Sequence, residues 1–298
     1  TEPLREPLSV AQHLKQDLQG LPRMTFLLAG HCFIVTFSDE RLGDDWQDLF
    51  WHLETRAEPA GKVSELAVLK EDEDGRGPFF CYENEICTEG GLARNQVAPY
   101  LVYKLFAHRM AGLQDRLLFH AAVVAKDDRA LLLPAQSGSG KSTLSAALAA
   151  AGWTYLSDEL ALVDPATRCV APFALPIGLK DKSMAALAGF IHVVADLPRH
   201  IRADGIGVRY HRPAAIQQEG CLPIRALVYP QYSQDAATRL AALPPLDSLA
   251  ILATTGSSAR PLVSSDVQAM LEMASLPSYR LEFSDLSQAL RLINGLDI

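Results

Sequence analysis

At 298 residues the chain has room for two domains or one large one, and its 49% apolar and 21% charged residues are an ordinary globular mixture. A formal charge of −8 argues against a broad nucleic-acid or membrane-binding surface, while leaving room for a local basic pocket. No apolar run approaches the about 18 residues that cross a bilayer.

The opening TEPLREPLSVAQHL carries acids and prolines where a secretory leader has a basic start and an apolar run, so a soluble cytoplasmic protein is expected. Residues 7–21 then space Leu8, Val10, Leu14 and Leu18 as a helix would. MTFLLAGHCFIVTFSD reads as two strands broken near Gly30–His31, and the polar run Glu71–Gly77 as an exposed turn between strands. Residues 96–113 form a helix along Leu101, Leu105 and Met110, and the main domain boundary is expected just after it, near 113. The five cysteines, Cys32, Cys81, Cys87, Cys169 and Cys221, lack metal-type spacing and are expected to be reduced core residues.

Beyond the boundary, RLLFHAAVVAK and RALLLPA form a hairpin turning at Asp127–Asp128. Ser142–Ala151 is an Ala/Leu helix closed by Gly152, and WTYLSDELALVDP is a strand with a turn or a second strand. IRALVYPQY is a strand, and LEFSDLSQALRLINGL a strand followed by an amphipathic helix. No repeat or low-complexity tract interrupts the pattern.

The segment between hairpin and helix carries the chemistry. A Walker A loop reads G-x-x-x-x-G-K-[ST]; here the register is Ala135, Gln136, Ser137, Gly138, Ser139, Gly140, Lys141, Ser142, followed by Thr143. Gly138 and Gly140 permit the backbone angles that turn N–H groups towards an anion, and the helix N-terminus adds its positive end. Lys141 reaches the outer phosphates and the Ser142 hydroxyl can ligate Mg²⁺. Ala135, in place of the first Gly, departs from the pattern. One helix later come Asp158 and Glu159. Adjacent acids on a strand point to opposite faces, so Ser157–Glu159 is expected at a strand end. His120 lies among apolar residues, where a satisfied core histidine is the ordinary reading.

The order FHAAVV, PAQSGSGKSTL, GWTYLSDELALVDP, PFALPIGLKDKS, VRYHRPA, LVYPQY resembles the HPr kinase/phosphorylase superfamily over about residues 115–298. The resemblance is closer still to the HPr kinase-related kinase A group of the PEP-CTERM/exosortase-associated type. It implies an α/β, HPr kinase C-terminal-like (phosphoenolpyruvate carboxykinase-like) P-loop kinase domain over 114–298, beside a smaller α+β N-terminal domain over 1–113. It also implies Asp158 as general base with His120 beside it, and Glu159 assisting Asp158 and Ser142 at Mg²⁺, where the family has a second Asp. Lys180, Arg209 and Arg212 become electrostatic clamps around the phosphates. The expected activity is γ-phosphoryl transfer from ATP to a hydroxyl of a protein, peptide or small molecule. The N-terminal region, which matches no part of those kinases, would select the acceptor or mediate self-association. Two other readings of the same residues are a nucleotide-binding regulatory or scaffold protein and a mechanical P-loop ATPase; the latter lacks its LSGGQ-like and late acidic signatures.

Overall fold

A computed structural model of the chain describes residues 18, 20–56, 62–70, 77–84, 86–258 and 260–297. The helix expected over 7–21 falls mainly outside these residues, as do residues 71–76 of the turn expected at Glu71–Gly77. The fold is mixed α/β in two compact units. One ends at Leu105 and includes His200–Gly205; the other holds Phe106–Arg199 and the chain from Ile206 onward. The division therefore falls inside a helix, ahead of the expected boundary at 113, and no loop marks it.

In the first unit, β1 (Arg23–Leu28), β2 (His31–Phe37), β3 (Val63–Lys70), β4 (Phe79–Glu83) and β5 (Ile86–Leu92) form one sheet in sequential order. β1 and β2 are the expected hairpin, turning through Ala29 and Gly30, both at positive φ. β2 and β3 run parallel, which demands a crossover, and α1 (Glu40–Phe50) lies between them in the chain. Its buried face carries Leu42, Trp46 and Phe50. The Trp46 and Phe50 rings stack at 4.0 Å and meet Phe26 edge-on. α2 (Arg94–Ala111) buries Leu101 and Leu105, as its spacing predicts.

Asp39 ties three of these elements together. Its carboxylate caps α1 by accepting from Leu42 N at 2.8 Å, and it pairs with Lys70 at 2.7 Å and Arg94 at 3.0 Å.

The second unit runs β6 (Leu117–Phe119), β7 (Ala121–Lys126), β8 (Arg129–Pro134), α3 (Lys141–Ala150), β9 (Thr154–Ser157), β10 (Ala161–Val163), β11 (Cys169–Ala171), β12 (Ile177–Lys180) and α4 (Met184–Leu187). The two-residue β13 (His200–Ile201) belongs to the first unit. The second unit resumes with β14 (Gly207–His211), β15 (Leu222–Tyr232), β16 (Arg239–Ala242), α5 (Pro245–Thr255), β17 (Gly256–Ser257), α6 (Ser264–Ala274), β18 (Ser278–Phe283) and α7 (Leu286–Asn294).

β8 is an interior strand of this unit. It pairs with β7 on one side, through the expected turn at Asp127 (φ 50°) and Asp128 (φ 59°), and parallel with β15 on the other. β9 pairs with β7, and β18 runs parallel to β15, so one stretch of sheet reads β9-β7-β8-β15-β18. The connection from β8 through α3 to β9 thus skips a strand, because the β7 hairpin partner already occupies the place beside β8.

Alternation along the strands sends side chains to two cores. Leu131, Leu133, Val124 and Val228 pack with Leu144 and Leu148 of α3 and with Leu290 and Ile293 of α7. Leu132, Val123 and Leu227 face Leu252 of α5 and Met273 of α6. With both faces covered, these strands read as apolar runs without a polar side. α3 closes with Gly152 N donating to Ala149 O and Trp153 N donating to Leu148 O, the Schellman pattern its Gly152 predicts.

The cysteine expectation needs correction. All five are free, but only Cys32 and Cys81 are core residues; Cys87 and Cys221 are exposed and Cys169 is half-buried. The last three sit near strand ends, where one face meets solvent. Among the described residues no helix is long and apolar enough to cross a membrane.

Burial alone would push the Asp39 carboxyl up, but Lys70, the Leu42 N–H and Arg94 outweigh it and hold its pKa at about 2. A depressed carboxyl stabilises the folded state above its unfolded pKa of about 4 and loses that contribution as pH falls through about 2. Asp39→Ala is expected to cost roughly 1–3 kcal/mol at neutral pH in urea unfolding of the first unit. The gap between wild type and Asp39→Asn should shrink from pH 4 towards pH 2; a gap independent of pH would refute the assignment.

Candidate functional site

The loop follows directly from β8 and ends in α3, so its two anchors are a buried strand and a packed helix. Gly138 and Gly140 sit at φ +89° and +93°, the left-handed region that their lack of a Cβ opens. Ala135 keeps a negative φ, since it is not among the residues at positive φ. Its methyl is buried and its N–H donates to His120 O at 3.2 Å. The departure from glycine at this position is therefore met without strain.

Lys141 is only 6% exposed. Its ammonium donates to Ala135 O at 2.7 Å and Gln136 O at 3.1 Å, and meets His120 Nε2 at 3.0 Å. An ammonium can only donate, so Nε2 accepts and the ring proton sits on Nδ1. That proton is donated to Glu159 O at 3.1 Å. Burial first, then the neighbouring Lys141 charge, pushes the His120 pKa down, consistent with a neutral ring. Burial likewise lowers the Lys141 pKa, against the opposing pull of Asp158 and Glu159. His120 is thus not the satisfied core residue its apolar neighbours suggest. Its side chain is 35% exposed, and it bridges the loop to the acids.

β9 ends at Ser157, and the bend after it turns the two acids apart, as the strand-end expectation holds. Asp158 points inward, 5% exposed, and accepts from Ser145 Oγ at 3.1 Å, with the Ser142 hydroxyl near enough to favour its charged form. Burial, with the adjacent Glu159 charge, pushes its pKa up to about 7 despite those hydrogen bonds. The Glu159 side chain is 56% exposed, with Oε2 at 3.6 Å from His120 Nδ1.

The remaining expected residues divide. Ser137 is exposed on the loop, and Ser139 gives its carbonyl to Tyr232 N at 3.0 Å while its own hydroxyl is buried without a hydrogen-bond partner. The Thr143 hydroxyl donates to Ser183 Oγ at 2.9 Å. Lys180, at the end of β12, is near enough for its charge to lower the Lys141 pKa further. Arg209 instead pairs with Asp181 at 2.8 Å, a carboxylate it shares with Arg199. Arg212 follows β14, where burial and then its charge press the His211 pKa down to about 4. The structure brings His120, Lys141, Ser142, Asp158 and Glu159 together, with Lys180 nearby.

Three features are absent from the sequence expectations. Ser145 holds Asp158; its spacing of three from Ser142 on a helix was a usable signal. Gln136 donates to Thr254 O at 3.2 Å, anchoring the loop to the end of α5. The third is an aromatic wall. A Cβ at Gly140 would lie 2.8 Å from Phe283 Cζ and 3.1 Å from Tyr232 Cβ, so this glycine is required by packing as well as by its backbone angle.

Among the described residues no three His, Cys, Asp or Glu converge as a metal-ligand group. The Ser142 hydroxyl and the inward-facing Asp158 nonetheless suit Mg²⁺, a hard cation that binds through one or two carboxylates and otherwise keeps water and phosphate oxygens; Glu159, turned outward, does not share that position. A buried carboxyl against a loop serine is a site whose ionised form a cation would stabilise. No protein-family model matches the chain, and no curated protein matches it either.

Asp158 has its folded pKa above its unfolded value. Its stabilising contribution is full below pH about 4 and is lost as pH rises through about 7. Without nucleotide or divalent cation, Asp158→Asn should be more stable than wild type at pH 8, by roughly 2–4 kcal/mol, and the difference should vanish below pH about 4. Thermal melts in chelator at both pH values check this; a variant less stable than wild type at pH 8 would count against a buried, destabilised carboxylate.

Proposed function

We propose that the chain is an ATP- and Mg²⁺-dependent kinase of the HPr kinase-like type, passing the γ-phosphoryl group to a hydroxyl acceptor. The observation that carries the reading is the convergence, on one strand–loop–helix, of the buried Lys141 ammonium and a near-neutral Asp158 held against Ser142. Phosphoryl transfer asks mainly for positioning and charge stabilisation, and these groups supply both.

Backbone N–H groups along Gly138–Ser142 and the N-terminus of α3 cradle the phosphates. Lys141 gives its charge to the outer ones, and Lys180 adds to the positive field. Ser142 and Asp158 are the oxygen donors that would hold Mg²⁺, with Glu159 at the exposed edge of the site, and the ion would supply positive charge against the phosphates. Asp158, with a pKa of about 7, is matched to receiving the acceptor's hydroxyl proton near neutral pH. His120, neutral and oriented by Glu159 O, keeps the loop and the acids in register.

The acceptor class is a hydroxyl on a protein, peptide or small molecule. The first unit, with no comparable set of groups among its described residues, is assigned to acceptor choice or self-association. The fold of the second unit is read as phosphoenolpyruvate carboxykinase-like on the same grounds.

Lys141→Ala should weaken Mg·ATP binding by at least about ten-fold in calorimetry carried out below the variant's melting temperature, where circular dichroism shows it folded. Asp158→Asn should bind Mg·ATP yet lose turnover by about 10²-fold or more. Recovery of that turnover by excess Mg²⁺ would move Asp158 from proton acceptor to metal ligand. Unchanged binding and turnover in both variants would sink the assignment.

A further inference from the structure

We infer that the exposed ring of Tyr232 is the platform on which the base of the bound nucleotide stacks. This rests on the nucleotide reading of the loop and extends it to a part of the ligand that the loop itself does not touch.

The direction in which a nucleotide lies follows from strand order. The loop leaves β8, and the sheet reads β9-β7-β8-β15-β18. His120, Asp158 and Glu159 all come from the β7–β9 side of that loop. Transfer chemistry places the terminal phosphate towards those groups. The nucleoside must then leave across the opposite flank, over the ends of β15 and β18, with β15 about one strand spacing of ~4.8 Å from β8.

What that flank presents is aromatic. Tyr232 is the last residue of β15 and Phe283 the last of β18, and they are register partners. Their rings meet edge-on at 5.6 Å and 68°. Phe283 is 2% exposed, whereas Tyr232 is 49% exposed, so the inner ring supports an outer one that is open to solvent. Tyr232 is also fixed to the loop: its N–H donates to Ser139 O at 3.0 Å, and its Cβ lies where a side chain on Gly140 would collide. A ring held rigidly against a phosphate loop, with half its surface exposed, is pre-organised for a flat aromatic partner. Stacking uses the π-face that every base has, so the platform favours nucleotides over bare phosphates without choosing strongly among bases.

The test is calorimetric titration of the full chain with Mg·ATP and, separately, with Mg·tripolyphosphate, which has the phosphates and no base. Tyr232→Ala should bind ATP more weakly by on the order of ten-fold while its tripolyphosphate affinity stays within about two-fold of wild type. Tyr232→Phe, which keeps the ring, should recover the ATP affinity lost in the alanine variant. Equal losses for both probes in Tyr232→Ala would overturn the inference, since the ring would then merely support the loop. Undiminished ATP affinity in that variant would overturn it as well. Wild-type protein that binds neither probe would instead defeat the nucleotide reading of the loop, and the platform with it.

Discussion

Lys141 carries an ammonium group at 6% exposure, and a charge drawn so far out of water has to be met by acceptors from several directions. Two of them are carbonyls of its own loop, Ala135 and Gln136, and the third is His120 Nε2. That requirement shapes the surroundings. The loop must curl so that its early carbonyls face its own lysine. The histidine must be neutral at the nitrogen that faces the ammonium, and Glu159 O fixes the tautomer from the other side. One buried cation thereby links the strand before the loop, the helix after it and the bend that follows β9.

The rigidity needed for such an arrangement comes from where β8 sits. It has a strand on each side and a core on each face, so neither end of the loop can shift without disturbing packed side chains. Further restraints act on the loop itself: Tyr232 N holds the Ser139 carbonyl and Gln136 holds the end of α5. Asp158 is treated differently. Its burial, with the Glu159 charge beside it, outweighs the neighbouring hydroxyls and Lys141 and keeps its proton affinity above that of an ordinary carboxyl.

What could be read in the sequence was local. The turns at Gly30 and Asp127–Asp128, the loop glycines, the closure of α3 at Gly152 and the strand end before Asp158 each depend on a few adjacent residues and are found in the structure. What escaped depends on residues far apart in the chain. Asp181 claims Arg209, so an expected clamp is already paired, and this pairing has no sequence signature. Phe283 and Tyr232 meet the loop only because β15 and β18 pair beside β8. The unit division inside α2 leaves no break in helical pattern to detect. The half-buried and exposed cysteines show the same limit, since apolar neighbours in sequence do not report which face of a strand end meets water.

The parallel pairing of β8 with β15 and of β15 with β18 also sets when this region can take shape as the chain leaves the ribosome. The glycine loop is made long before the two aromatic residues that back it, and strands so distant must be brought together before they stabilise anything. A nascent chain halted before β18 would carry the complete loop motif, yet Gly140 would lack the Phe283 part of its wall and the face of α3 that meets α7 would be bare. Such a fragment offers apolar surface and an unpaired strand edge to other chains. Completion of the last strand and helix is thus the step that converts a recognisable motif into a braced loop.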